Sequence, residues 1–370
     1  MNKKYFLFIV AALLLTGCNN KTPSNVNFTL ANLGNNVEFH TELQLRYIDS
    51  ADYTTTNGIA SGSSEKSAPE PVKLSWTAKP VNGKKTKDYK VEVFETNNEE
   101  NKWVYTCNEP SLDVYNLKIN TEYSYVVTAV YSDKSFTSEK SSFKTTSKAP
   151  RNLFIENVMN FRDLGGNGIK QGLIYRSGRF NEDDGTSLLT EETQKQIKEQ
   201  FGFKTEIDLR RGDENGGITA SPLGTDVSYQ HLPMYYGGQN ILIHTGTHSG
   251  VEYDNPARIK EFFDLLANEN NYPMDFHCAI GKDRTGCMAY LIKALCGVSE
   301  EHLYRDYLFS NFAKISGMCQ ISDIDDRYGK TIKDYTVGTT LQEKTYNYLK
   351  NVIGVSETNL QSIQDILMEE

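Results

Sequence analysis

Residues 276–286 read FHCAIGKDRTG, and the fold of the second half of the chain turns on them. An apolar run, YPMDF at 272–276, leads into the segment, and a helical pattern, DRTGCMAYLIKALCG, leaves it and stops at Gly297. The stretch is therefore a strand, a tight loop and the first turn of a helix. Backbone N–H groups of such a loop, with a helix N-terminus behind them, converge on one concavity that favours an anion. Gly281 and Gly286 remove Cβ atoms where the chain must turn or approach a ligand closely. The same field lowers the pKa of a thiol at Cys278, and the thiolate is a nucleophile at neutral pH. Arg284 adds a planar fork that grips two phosphate oxygens at once. A thiolate, an amide cradle and a guanidinium fork together point to attack on phosphorus. The loop supplies its own positive field, so neither a metal nor another cofactor is needed.

Working outward, LTEETQKQIKEQFG (189–202) has Thr190 as a cap, acids in its first turn and Gly202 as its stop, so it predicts a helix. FKTEIDLR follows as a strand. NPARIKEFFDLLANEN begins with Pro256 in the first turn and spaces its apolar residues as a helix does. SEEHLYRDYLFSNFAK, capped by Ser299, and two further helical segments complete the chain. Strands alternating with helices predict an α/β domain over 151–370, with a mostly parallel central sheet flanked by helices.

The pattern Cys-x5-Arg-Thr, preceded by His277, is the signature of the protein tyrosine phosphatase superfamily. NFRDLGG (160–166), GLIYRSGRF (172–180), EIDLRRGDE (206–214) and HCAIGKDRTG (277–286), in that order, resemble the bacterial atypical tyrosine/dual-specificity phosphatases. The resemblance covers about 210 residues. It implies that Cys278 attacks phosphorus and becomes phosphocysteine. Ala279, Ile280, Gly281, Lys282, Asp283 and Arg284 cradle the phosphate through their N–H groups, and Arg284 also binds it through its side chain. Thr285 supports the thiolate and the hydrolysis step, and His277 fixes the loop.

A phenolate or alkoxide leaving group needs a proton. Asp283 is the foremost general acid, with Asp208 at a strand end and Asp254 in a long loop as alternatives. Lys282 reads either as a rim cation for a second phosphate or as an aid to any phosphate. Arg162 and Asp163 read as a structural pair. Arg176, Arg210 and Arg211 fit either the pocket or the strand ends. The glycine-rich stretch 235–254 has the length of a lid, and its His244 and His248 read as surface residues rather than metal ligands.

Residues 68–147 change the pattern to short period-two runs, among them VKLSWTA, DYKVEVFET and EYSYVVTAVYS, divided by polar turns. This predicts an all-β sandwich. Trp76 and LKINTEY (117–123) resemble the fibronectin type III pattern of the immunoglobulin-like class, in which Leu117 and Tyr123 would form the tyrosine corner. Such a domain is a spacer, or a module for a protein or glycan ligand. VEFHTELQLRYID (37–49) looks strand-like. It lies within 18–67, which reads as a tether with room for a first strand, and SKAP (147–150) reads as a linker.

At the N-terminus, two lysines precede an apolar run too short to span a membrane, so residues 1–17 predict a signal peptide. LTGC (15–18) resembles the lipobox of bacterial lipoproteins, which implies lipidation of Cys18 and a membrane tether outside the cytoplasm. Cys107, Cys287, Cys296 and Cys319 read as small buried apolar residues, with Cys287 or Cys296 considered as a disulfide partner that would protect Cys278. The chain has 370 residues and a formal charge of −9, which argues against a nucleic-acid partner.

These features favour a lipid-anchored phosphatase for phosphotyrosine, extended to phosphoserine, phosphothreonine or phosphoinositide. The alternatives are a phosphatase for phosphoinositides or inositol phosphates only, and a surface lipoprotein that binds phospho-ligands or glycans without turnover.

Overall fold

Alternating Val, Tyr and Phe residues put one face of each N-terminal strand inside a sandwich. The computed structural model describes residues 22–237 and 240–369; the signal peptide and Cys18 lie outside them. The strands are β1 Asn25–Leu30, β2 Val72–Val81, β3 Asp88–Glu95, β4 Lys102–Cys107, β5 Ser111–Val114, β6 Glu122–Val130, β7 Ser135–Thr137 and β8 Ser141–Lys144. One sheet has the order β1-β2-β5 and the other β4-β3-β6-β7, with β8 also paired to β6; all the pairings are antiparallel. Trp76, Tyr89, Val91, Val93, Tyr123, Tyr125 and Phe143 fill the space between them. The Tyr123 hydroxyl accepts from the Lys118 N–H at 2.9 Å and pins the loop before β6.

The stretch 18–67 is not a free tether over its described part. β1 belongs to the sandwich, six residues in register with β2. The strand-like 37–49 forms a helix instead, α1 Glu42–Ile48. Its cause is a capping box: Thr41 accepts from the Gln44 N–H while the Gln44 side chain accepts from the Thr41 N–H. That signal outweighs the alternation of apolar residues around it. The helix buries Gln44 and Tyr47, and Tyr47 lies in the core of the C-terminal domain, not in the sandwich.

The SKAP segment does not act as a loose linker either. Just after it, Arg151 is buried, and its guanidinium donates to the carbonyls of Leu117 (2.9 Å) and Asn116 (2.6 Å). Asn116 exchanges hydrogen bonds with the Phe154 backbone, and Gln171 does the same with the Ile119 backbone. One end of the sandwich is thus bonded to the domain that follows.

That domain is built on β9 Arg162–Asp163, β10 Ile174–Ser177, β11 Thr205–Asp208, β12 Ser228–His231 and β15 Met274–His277, in the spatial order β12-β11-β15-β10-β9. The four strands β12, β11, β15 and β10 run parallel, and β9 is antiparallel at the edge. β10, β11 and β15 are buried along their whole length, as parallel strands covered on both faces should be. On one face, α2 Glu191–Gln200 packs through Ile197, with Phe161, Tyr175, Phe180, Phe201 and Phe203. The larger core on the other face holds α3 Asn255–Leu266, α4 Asp283–Leu295, α5 Glu300–Phe309, α8 Leu341–Tyr348 and α9 Glu357–Leu367. Two short helices, α6 Ile321–Ile324 and α7 Lys330–Lys333, flank a π turn at Asp325–Gly329. The glycine-rich 235–254 carries a hairpin of β13 Thr245–His248 and β14 Val251–Asp254. The expected α/β domain with its mostly parallel sheet is present.

Tyr47 makes the joint between the early segment and the later core testable. Truncating a fully buried aromatic costs about 3–5 kcal/mol, so Tyr47→Ala should lower the unfolding free energy of the α/β domain by about that amount in urea titration. An unchanged midpoint for that domain would mean that the segment is not packed there in solution.

Candidate active site

β15 ends at His277, α4 begins at Asp283, and five residues connect them. Gly281 has φ +68°, and a Cβ there would lie 2.5 Å from the Ser177 carbonyl oxygen, so only glycine fits. All four carbonyls from Ala279 to Lys282 have donors. The Arg179 N–H reaches Ala279 O at 3.3 Å, and Asn160 Nδ2 reaches Ile280 O at 3.1 Å and Gly281 O at 3.0 Å. Arg176 also donates to Gly281 O at 2.7 Å, and the Gly286 N–H closes on Lys282 O at 2.8 Å. By contrast, no oxygen among the described residues accepts from the N–H groups of Ile280, Gly281 or Lys282. Unpaired amides at a helix N-terminus form an anion cradle.

Two of these donors are held from behind by one carboxylate, Arg176 directly and Asn160 through Arg162. Asp306, on α5, takes Arg162 at 3.0 Å, Arg176 at 2.5 Å and Lys293 at 3.5 Å. Burial alone would push its carboxyl up, but the three cations outweigh burial and hold it far below the usual range. Arg162 also donates to both oxygens of Asn160, setting the side chain that grips the loop. The expected Arg162–Asp163 pair is therefore corrected. Both residues are structural, but Asp163 pairs with Arg151 and accepts from the Gly165 and Gly172 N–H groups.

Cys278 is 2% exposed. Burial would raise its thiol, but the Arg284 charge and the Thr285 hydroxyl and N–H outweigh burial and the repulsion of Asp283, so the net shift is downward. The Thr285 hydroxyl is buried and has no hydrogen-bond partner among the described residues. The other described cysteines move the opposite way. Burial pushes Cys107 up to about 11, Cys296 and Cys319 up to about 12, and Cys287 well above an ordinary thiol. All five are free, without a disulfide among them. Arg284 donates to Glu214 at 2.6 Å and to the Leu209 carbonyl at 3.2 Å, and its guanidinium lies 4.5 Å from the Tyr236 ring centre. Its Nε is buried without a partner.

His277 is fully buried. Its Nε2 lies 2.9 Å from Glu206, and its Nδ1 3.8 Å from Asp208. Burial would lower its pKa, but those acids outweigh burial and push it up to about 9. Asp208 is also bound by Arg210 at 2.7 Å and by the Tyr229 hydroxyl at 2.9 Å, without side-chain exposure. His277, Arg210 and their hydrogen bonds overcome its burial and hold its carboxyl far below the usual range. This is a correction: Asp208 is enclosed by His277, Arg210 and Tyr229, without side-chain exposure, and supports the sheet end rather than facing a leaving group. Arg176 and Arg210 are buried structural groups, and Arg211 binds Glu214 at 3.0 Å.

Asp283 Oδ1 lies 2.5 Å from Arg327, in the π turn, and Lys282 Nζ lies 3.7 Å from Asp323. Asp254 caps α3 through the Ala257 N–H at 3.0 Å, which makes it a helix cap rather than a mobile acid. The described residues of the lid-like stretch are folded: Asn255 holds the Tyr235 and Ile241 carbonyls, and the Tyr235 ring centre lies within 4.5 Å of those of both His244 and His248. Both histidines are half-buried at the surface and lie tilted against the Tyr235 ring. Sequence reasoning did not single out Glu214, Tyr236, Asn160, Asp306, Asp323 or Arg327. Glu214 and Asn160 lie within motifs already quoted. Nothing local in the sequence ties Asp306, Asp323 or Arg327, 20 or more residues further on, to the loop.

The architecture defines a class: α/β proteins with a cysteine-centred phosphate loop between the end of a buried strand and a helix. The tyrosine phosphatase family matches residues 153–369, more than half of the chain, and the chain belongs to it. A prokaryotic membrane lipoprotein lipid attachment site matches residues 3–19. A curated relative in Cupriavidus necator, a tyrosine-protein phosphatase by name, is 26% identical over 179 residues, 43% of this chain and 63% of that one. A tyrosine-protein phosphatase of Nostoc commune is 28% identical over 123 residues, 30% of this chain and 41% of that one. The chain thus spans less than two thirds of the length of these two relatives. Among solved structures, the core catalytic domain of the PP-IP phosphatase SIW14 from S. cerevisiae is 20% identical, over 47% of this chain and 91% of that one, with a TM-score of 0.29. P. aeruginosa TpbA is 16% identical, over 42% and 77%, with a TM-score of 0.27.

Two buried groups predict how stability varies with pH. His277 holds its proton up to about 9, against an ordinary 6.5, and burial pushes Asp275 up to about 8 from 3.8. Both bind a proton more tightly folded than unfolded, so their contribution is lost as pH rises. Asp275 loses its share between 3.8 and 8, and His277 between 6.5 and 9. Urea midpoints should fall from pH 6.5 to 9, and Asp275→Asn should flatten the lower part of that fall.

Proposed function

We propose that the chain is a cysteine-dependent phosphatase that hydrolyses phosphomonoesters through a phosphocysteine, with phosphotyrosine as its leading substrate class. One observation carries this reading: the loop turns every carbonyl from Ala279 to Lys282 outward onto donors, while Cys278 is the one described cysteine whose thiol is lowered rather than raised. A binding protein without turnover has no use for that difference.

In this mechanism the Cys278 thiolate attacks phosphorus and the bond to the leaving oxygen breaks. Amides of the loop and the Arg284 guanidinium hold the three equatorial oxygens. Asp283 gives its proton to the leaving oxygen and then takes one from the water that attacks phosphocysteine, releasing phosphate and the thiolate. The Asp283 side chain is 13% exposed and its Oδ1 is held by Arg327, so Oδ2 is the oxygen that would carry the proton. Tyr236, stacked on Arg284, offers a flat apolar wall beside the cradle that suits an aryl group. A second reading, phosphoinositide or inositol-phosphate substrates, draws on Lys282 and Arg327, two rim cations able to meet a further phosphate.

The strand order of the sandwich and the Tyr123 hydroxyl bond support reading residues 68–147, with β1 added at the edge, as fibronectin type III-like. A protein or glycan is its proposed ligand class. The attachment-site match supports lipidation of Cys18 and a place in the cell envelope outside the cytoplasm.

The test is release of phosphate from p-nitrophenyl phosphate and from a panel of phosphopeptides and phosphoinositides. Cys278→Ser should remove turnover by at least about 10³-fold and leave phosphate binding intact. Wild-type protein that binds phosphate without turning over any ester would sink the enzyme reading. Asp283→Asn should slow an alkyl phosphate about 10²-fold, and p-nitrophenyl phosphate, whose leaving group needs no proton, far less. Equal losses for both would exclude Asp283 as the acid.

A further inference from the structure

We infer that the segment 41–68, encoded ahead of most of the sandwich, is a working part of the phosphatase, with Ser67 as a positioning residue for the phosphate loop. This rests on the loop's assignment above. The segment lies outside the stretch that matches the family.

Ser67 is 4% exposed, and its Oγ accepts from the backbone N–H of Asn160 at 3.1 Å. Its own hydroxyl proton goes to Glu65, so the lone pairs are left for that N–H. Asn160 is fully buried with φ +57°, a left-handed backbone state that asparagine adopts more readily than most L-residues. In that state its Nδ2 donates to Ile280 O and Gly281 O, the two carbonyls at the crest of the cradle, and to Ser310. The chain of contacts therefore runs from Ser67 through one residue to the loop.

The segment is fastened along its length. Gln44 Nε2 donates to the carbonyls of Lys66, Ser67 and Ala68 at 3.0, 3.3 and 3.2 Å, and Asn152 donates to Gln44 and to Ser67 O. The Lys66 N–H reaches Phe312 O at 2.6 Å, the Gly62 N–H reaches Asn311 O at 2.8 Å, and the Ile315 N–H returns to Gly62 O at 3.0 Å. Glu65 accepts from the Lys314 N–H at 3.2 Å. A passive tether needs none of these bonds.

Without the Ser67 hydroxyl, a buried N–H at Asn160 has no acceptor, and an unmade buried bond is expensive. Asn160 can then leave its left-handed state and release the two carbonyls. Their peptide planes rotate, and the amides no longer all face the phosphate.

The experiment uses the chain from residue 19 onward. Ser67→Ala should lower kcat/KM for p-nitrophenyl phosphate about ten-fold, mostly in kcat. It should also raise the pH midpoint for alkylation of Cys278 by iodoacetamide, followed by mass spectrometry of that peptide. Ser67→Thr, which keeps the hydroxyl, should restore both. If Ser67→Ala does not fold, Ser67→Cys, similar in size and a poor acceptor, carries the same expectation. A lowered melting temperature with unchanged kcat/KM and an unchanged alkylation midpoint would overturn the proposal and leave the segment a mere brace. The alkylation midpoint reads the loop even if no ester is hydrolysed, so a failure of the enzyme reading is seen separately.

Discussion

Turning four successive carbonyls of one loop outward, so that its amides face inward, is the constraint on which the site depends. An isolated loop would not hold that state, because peptide dipoles pointing the same way repel one another. Here each outward oxygen meets a donor, and two of those donors are tied to Asp306, Arg176 directly and Asn160 through Arg162. That carboxylate is taken out of water and surrounded by Arg162, Arg176 and Lys293. Such a cluster is a poor source of net stability, since desolvation offsets much of the attraction. Its value is directional. Arg176 can point one nitrogen at Gly281 O only because another is fixed on Asp306.

Charge is then kept apart on the two sides of Cys278. Behind it, His277 is protonated between Glu206 and Asp208, and Arg210 neutralises Asp208. In front, Arg284 faces the sulfur and is steadied by Glu214. The acid on Arg284 would seem to work against a thiolate. It lies on the guanidinium's far nitrogen, however, and leaves the buried Nε without a partner. A carboxylate there orients the fork without occupying the face a phosphate requires.

The local parts of this were legible in the sequence. Cys278, Gly281 and Arg284 sit within seven residues, and the strand and helix that hold them carry strong patterns of their own. The α/β alternation, the helix cap at Thr190 and the first-turn proline at Pro256 were legible for the same reason. The failures share a different cause. Asp208 stood at a strand end like an active residue, but two histidine and arginine partners from the same sheet end consume it. Arg162 and Asp163 are neighbours in sequence and share an edge strand, where successive side chains point to opposite faces, so each found a distant partner. Spacing reveals who is near along the chain and says nothing of a partner 144 positions away.

The segment 41–68 shows how far topology can outrun sequence order. The chain enters the sandwich at β1, leaves it to lay α1 on the phosphatase core, returns for β2 to β8, and only then builds the phosphatase. Each passage is bonded at both ends, so the two domains cannot swing as beads on a thread do. An interface of that kind is commonly mobile when a single linker crosses it. Here three crossings, the Arg151 bonds to the Leu117 and Asn116 carbonyls, and the Gln171 bonds to Ile119 remove that freedom. The sandwich is accordingly fastened to the α/β domain rather than strung from it, while the segment 41–68 reaches Asn160, which grips the loop. A fold that must hold four peptide dipoles against their mutual repulsion has a use for that grip.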